Sequence, residues 1–181
     1  MVNARPHIPP PDPDQGFGPA GGGRFHVLLT EDRRRPVEHW TRQLPRLVEP
    51  LGIHARLAAS AREALQLAEQ QTFHAVVADL ATPVEPDETA GRVSASAGLA
   101  DGGLWLLQVL QRHPQRPPVI VVNSRATRQQ AVRLLNDALR LGAFSVVNRP
   151  ADLHPLLTAI QRLLNRHHRG QWPTPAPPPE S

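Results

Sequence analysis

His74-Ala75-Val76-Val77-Ala78-Asp79 is a short apolar run that ends in a carboxylate and passes at once into Leu80-Ala81-Thr82-Pro83. A run of this length with two adjacent valines has the pattern of a strand buried on both faces, which belongs to a parallel sheet. Asp79 then stands at the carboxyl edge of that sheet, where open α/β folds bind ligands and do chemistry. Phe25-His26-Val27-Leu28-Leu29-Thr30 has the same character and runs straight into Glu31-Asp32. Two parallel strands ending in this way bring three carboxylates into one shallow crevice. Like charges so close are costly unless a cation joins them. A hard divalent ion, Mg²⁺ before others, resolves the conflict, because it binds through a few carboxylates and keeps waters or phosphate oxygens for its remaining positions.

Two further strands follow the same rule. Pro117-Pro118-Val119-Ile120-Val121-Val122-Asn123 is apolar and finishes in a polar residue, and Phe144-Ser145-Val146-Val147 finishes at Asn148-Arg149-Pro150. Residues 53–59 are a weaker strand candidate. Between the strands the apolar spacing becomes helical. Val37, Trp40, Leu44, Leu47, Val48 and Leu51 mark a helix over 34–51 with Gly52 as its stop, while Pro45 inside it predicts a kink or break near Gln43. Ser60-Ala61-Arg62-Glu63 has the spacing of a capping box and opens a helix to about Gln71. Leu104, Leu106, Leu107, Val109 and Leu110 form another, ending near His113-Pro114. A helix over 127–141 puts Ala131, Leu134, Leu135, Ala138 and Leu139 on one side, with Gly142 as its stop. Asp152 is placed to cap a last helix carrying Leu153, Leu156, Leu157, Ile160, Leu163 and Leu164. Strand and helix alternate five times, which predicts a parallel sheet with helices on both faces.

The 181 residues leave room for one domain with tails. Hydrophobic residues are 40% and aromatics 4%, so the core is built from Leu, Val, Ile and Ala. Without cysteine, disulfide scaffolds, thiol catalysis and Cys-based zinc sites are excluded. All 20 basic residues are Arg, which lifts the pI to about 11.2, yet 16 acids leave the net charge at only +4. Arg33-Arg34-Arg35 and His167-His168-Arg169 make no basic stripe interleaved with aromatics, so no nucleic-acid partner is expected. No window reaches the ~18 apolar residues of a membrane span, and no apolar signal segment opens the chain. The expectation is a soluble, cytoplasmic protein without a membrane partner. The nine His residues show no metal spacing, and Ser94 and Ser96 lack the turn of a hydrolase nucleophile.

Residues 1–23 and 169–181 are rich in Pro and Gly and read as a disordered arm and tail around a domain at 24–168. Gly21-Gly22-Gly23 precedes the first strand, the wrong side for a phosphate-binding loop. Residues 84–103 dissolve into Pro, Glu, Ser, Ala and Gly and read as a long loop insertion springing from beside Asp79.

Three segments, in this order and at these separations, resemble the receiver domain of two-component response regulators, the CheY-like family. They are Leu28-Leu29-Thr30-Glu31-Asp32, Val76-Val77-Ala78-Asp79, and Gly142-Ala143 through Asn148-Arg149-Pro150; 47 residues separate Asp32 from Asp79 and 70 separate Asp79 from Arg149. The similarity spans about residues 24–167. The resemblance implies a flavodoxin-like, doubly wound sheet of five parallel strands in the order 2-1-3-4-5. It implies that Asp79 accepts a phosphoryl group from a sensor histidine kinase or phosphotransfer protein. Mg²⁺ would be held by Glu31, Asp32, Asp79 and the backbone carbonyl of Ala81. Such a chain is a signalling switch and not an enzyme in its own right. With no output domain visible after the last helix, it is expected to stand alone and to act through contacts with a downstream protein.

The chain also departs from the family. Asn123, followed by Ser124, stands where the resemblance places a Thr or Ser that senses the phosphoryl oxygen. Arg149 replaces a Lys that pairs with the phosphoryl group, keeping the charge on a wider, planar fork. Val146 occupies the position of a switching aromatic. These departures support a rival reading, a pseudo-receiver that serves as a phosphorylation-independent interaction module. A flavodoxin-like small-molecule binder is disfavoured, because Glu31-Asp32-Arg33 replaces the Gly- or Ser-rich phosphate cradle.

Overall fold

A computed structural model of the chain describes residues 25–31, 40–85, 102–123, 128–148 and 153–168, the side chains of 128–131 excepted. The expected arm and tail, Asp32, Ser124, Arg149 and most of the insertion lie outside these residues.

Five strands, β1 (Phe25–Thr30), β2 (Ile53–Ala58), β3 (Ala75–Asp79), β4 (Val119–Asn123) and β5 (Ser145–Asn148), form one sheet in the order β2-β1-β3-β4-β5. Every pairing is parallel. Among the described residues, five α-helices connect or follow them: α1 (Trp40–Val48), α2 (Ala61–Gln70), α3 (Gly102–Leu110), α4 (Arg128–Arg140) and α5 (His154–His167). The expected flavodoxin-like architecture is therefore present.

Side chains of successive strand residues point to opposite faces, and the two faces carry separate cores. Phe25, Val27 and Leu29 of β1 pack with Ala75, Val77, Ile120 and Val122 under α1 and α5. Leu28, Val76, Ala78, Val119 and Val121 face the other way, under α2, α3 and α4. Strands β3 and β4 are buried at every residue, as runs covered on both faces must be. On α5, Leu156, Ala159, Ile160, Leu163 and Leu164 recur at the three- and four-residue spacing that makes one buried stripe.

Three local expectations need correction. Pro45 lies inside α1, but the helix runs unbroken through Gln43. Trp40, Leu44 and Val48 anchor it to the sheet on both sides of the proline, and this burial outweighs the one backbone bond that Pro45 forgoes. The helix then tightens into a 3-10 turn, Glu49–Leu51, and stops at Gly52, whose φ of 75° is left-handed. Leu153 precedes α5, and Pro155 in the first turn supplies a preset φ, while Asp152, the expected cap, lies outside the described residues. Leu139 is 52% exposed and not part of the buried side of α4, which turns Ala138 inward. The insertion is also shorter than 84–103, since Val84 is tied to α2 and α3 begins at Gly102.

Candidate functional site

Strand pairing sets the site. Val27, Leu28 and Leu29 pair with Ala75, Val76 and Val77, and continuing that register two residues places Glu31 beside Asp79 at the carboxyl ends of β1 and β3. Alternation gives both the face of α1 and α5, because Leu29 and Val77 belong to that core. The Thr41 hydroxyl of α1 donates to Glu31 Oε2 at 3.3 Å, in keeping with this placement.

Asp79 is buried, at 2% exposure. Its Oδ1 accepts the amide of Ala81 at 2.8 Å, and its own carbonyl accepts the amide of Thr82 at 3.0 Å. Residues 79–82 therefore form a closed turn that orients the carboxylate from within. Leu80 donates to the Val122 carbonyl on β4 at 2.8 Å. The amide of Asp79 points the other way, towards β1, and meets the Thr30 hydroxyl at 3.0 Å in place of a carbonyl. Thr30 in turn shares a 2.6 Å hydrogen bond with the Thr82 hydroxyl.

The same turn is gripped from α2 and α3. The carbonyls of Pro83 and Val84 accept the first amides of α2, from Ala61 and Arg62, at 2.8 and 3.0 Å. Ser60 caps the third, accepting from Glu63 N at 3.1 Å, while Glu63 Oε2 accepts the Ala59 amide at 2.7 Å. The capping box read in the sequence thus exists, with its return bond one residue further back than the usual form. On the other side, a Cβ on Gly103 would meet the Asp79 carbonyl oxygen and lie 2.8 Å from Leu80 Cα, and one on Gly102 would meet the Thr82 oxygen. Only glycine lets α3 start this close to the Asp79 turn. Both ends of the insertion are drawn together beneath the site.

Asn123 is fully buried at the end of β4. Its Nδ2 donates to Oδ1 of Asn148, its register partner on β5, at 3.0 Å. Val146 is half-buried against the core of α2, α3 and α4. By extension of the register, Glu31 and Asp79 end adjacent strands, with the Ala81 amide on the Asp79 carboxylate, and the described residues separately join Asn123 to Asn148. Thr30, Thr82 and Asn148 had no place in the sequence reading of the site. Thr30 does carry a signal in retrospect, as the one hydroxyl in an otherwise apolar strand just before Glu31. Among the described residues no group of three or more acidic or His side chains is arranged to hold a metal, and the third carboxylate of the expected set, Asp32, lies outside them. No described helix is long and apolar enough to cross a membrane.

No family profile matches the sequence, and no curated protein matches it. Solved structures do. A CheY-like response regulator receiver domain from Methanospirillum hungatei aligns with a TM-score of 0.58 at 20% identity, over 81% of this chain and 98% of that one. The fold is that of a receiver domain. The receiver domain of HemR from Leptospira biflexa aligns with a TM-score of 0.56 at 22% identity, over 78% of this chain and 94% of its own. The chemotaxis protein CheY4 of Vibrio cholerae gives 0.58 at 18% identity, over 78% and 100%. The receiver fold places Asp79 at the carboxyl end of its middle strand.

Proposed function

We propose that this chain is a response regulator receiver whose Asp79 accepts a phosphoryl group from a phosphohistidine on a sensor kinase or phosphotransfer protein, in a two-component phosphorelay of the cytoplasm. One observation carries the reading: the Asp79 carboxylate is held at Oδ1 by the Ala81 amide, at the end of a buried central strand, with Glu31 on the neighbouring strand end. A carboxylate oxygen of Asp79 attacks phosphorus as the P–N bond to the donor imidazole breaks, and the electron pair leaves with the imidazole. The receiver contributes position and charge compensation, which are most of what phosphoryl transfer requires.

Glu31, Asp79 and the Ala81 carbonyl are hard oxygen donors of the kind that suits Mg²⁺, and with Asp32 they are the residues that would hold it. Bound there, Mg²⁺ supplies neutralisation of the charge spread over the phosphoryl oxygens. Arg149 and Ser124, with Asn123, are the proposed phosphoryl contacts. Signal output passes to a downstream protein, and the chain is a phosphoacceptor and not a catalyst of an outside substrate.

The Asn123–Asn148 bond favours a second reading, the phosphorylation-independent interaction module, because it already engages the amide that would sense phosphate. Intact mass after incubation with Mg²⁺ and acetyl phosphate separates the two. The switch gains one phosphoryl group, and Asp79→Asn gains none. No gain in the native chain, with no Mg²⁺-dependent change in Trp fluorescence, selects the module.

A further inference from the structure

Two buried hydroxyls at the base of the Asp79 turn have no role in the reading above. Thr30 is 0% and Thr82 1% exposed, and they lie 52 residues apart in sequence with their oxygens at 2.6 Å. Thr30 Oγ1 also accepts the Asp79 amide, so one side chain of β1 holds the first residue of the turn directly and the last through Thr82. Ala81, whose amide fixes Asp79 Oδ1, sits between those two anchors. Thr30 is moreover the residue before Glu31.

We infer that Thr30 and Thr82 are positioning residues for Asp79: their shared hydrogen bond locks the Asp79–Thr82 turn to the end of β1, setting the carboxylate of Asp79 against that of Glu31. This inference rests on the phosphoacceptor reading for its consequence but not for its geometry. A valine fills the volume of either threonine, so packing alone does not call for hydroxyls here. Without them the turn keeps its internal bonds, from Ala81 N and Thr82 N to Asp79, yet loses its tether to β1. The turn then shifts as a unit, and the carboxylate shifts with it. Misplacement on the order of 1 Å is enough to cost about 100-fold in a transfer that depends on alignment.

The test uses the full chain and four variants: Thr82→Val, Thr82→Ser, Thr30→Val and Thr30→Ser. Thr82→Val is the informative one, because Thr30 still accepts the Asp79 amide and folding is spared; Thr82→Ala replaces it should the valine chain not fold. Initial rates of phosphoryl uptake are measured against acetyl phosphate concentration with Mg²⁺ present. The maximal rate falls about tenfold or more in Thr82→Val, while the half-saturating concentration stays within about twofold. The serine variants, which retain the hydroxyl, stay close to the native rate. Native rates in folded valine variants overturn the inference, and so do serine variants that fail as the valines do, since bulk would then be what matters.

If the native chain takes up no phosphoryl group, it is the phosphoacceptor reading that falls. The positioning role is then decided without phosphate, by residual dipolar couplings of the Leu80 and Ala81 N–H bonds in the absence of Mg²⁺. With its tether to β1 lost the turn reorients as a unit, so both couplings change in Thr82→Val and stay at their native values in Thr82→Ser. Native couplings in all the variants overturn the inference.

Discussion

Asn123 and Asn148 are register partners on β4 and β5, and the side-chain amide of the first donates to the side-chain carbonyl of the second at 3.0 Å. Asn123 is wholly buried, whereas Asn148 is exposed at the edge strand. The pair thus ties the inner wall of the proposed site to the outermost strand of the sheet.

Replacing Asn148 by Leu removes the acceptor and costs about 1 kcal/mol, the usual net worth of one such bond, with more if Asn123 cannot repartner. Asn148→Asp keeps an acceptor oxygen and stays near native stability. Urea denaturation midpoints of the two variants check the difference. Equal midpoints would show that the amide pair contributes nothing to the fold.

Gly103 supports a second prediction. A methyl group there meets the Asp79 carbonyl and the Leu80 backbone, neither of which can rotate away. Gly103→Ala therefore costs about 1–3 kcal/mol as overpacking and displaces the Asp79 turn. Gly142→Ala is the control. Its φ of +90° is strained for alanine, but the nearest neighbour is the flexible Gln111 side chain at 3.2 Å, far from Asp79. Both variants lose stability in a thermal melt, and only Gly103→Ala also slows phosphoryl uptake.

These glycines show where the sequence was and was not legible. β1, β3 and β4 were readable because short apolar runs buried on both faces have few other uses. β2 read weakly because it is an edge strand, with Arg56 and Leu57 exposed, so its pattern is diluted by solvent. Gly102 and Gly103 looked like the end of a loop, since glycine is among the poorest helix formers; contact with Thr82 and Asp79 overrides that preference. On α4, Leu134, Leu135, Ala138 and Leu139 span too wide an arc for periodicity to choose a centre, and packing chose Ala138.

The site was legible in its carboxylates and opaque in its supports. Glu31 and Asp79 each end an apolar run, which is a local signal. Thr30–Thr82 and Asn123–Asn148 are pairings across strands or turns, and nothing in either half of a pair announces the other. Register, which only the assembled sheet supplies, makes them neighbours.

Ser60 permits a prediction independent of the site. It is buried, caps α2 through its hydroxyl, and belongs to the same helix start that receives Pro83 and Val84. Ser60→Ala leaves Glu63 N without its acceptor and lowers stability by about 1 kcal/mol, whereas Ser60→Asp retains a cap. Guanidinium denaturation of the two variants measures the gap.

The opposite end of the sheet titrates. His74 packs edge-on against Phe25 at 4.9 Å and against His168 at 5.1 Å, and lies 6.1 Å from His26, which in turn neighbours His54 at 5.9 Å. His74 Nδ1 accepts the His26 amide at 3.0 Å, which requires that nitrogen to be unprotonated. Burial first, then the nearby His168 and His26, lower its pKa from the ordinary 6.5 to about 4. The unfolded chain therefore binds a proton near pH 6.5 that the folded chain refuses until about pH 4, so stability is present above that window and is lost as pH falls through it. After allowance for partial exposure the loss is about 2 kcal/mol. His74→Asn, whose side-chain oxygen substitutes for the accepting nitrogen without titrating, removes this contribution. Urea midpoints between pH 7 and pH 4 should fall more steeply for the native chain than for His74→Asn, and parallel declines would show that the acid sensitivity arises elsewhere.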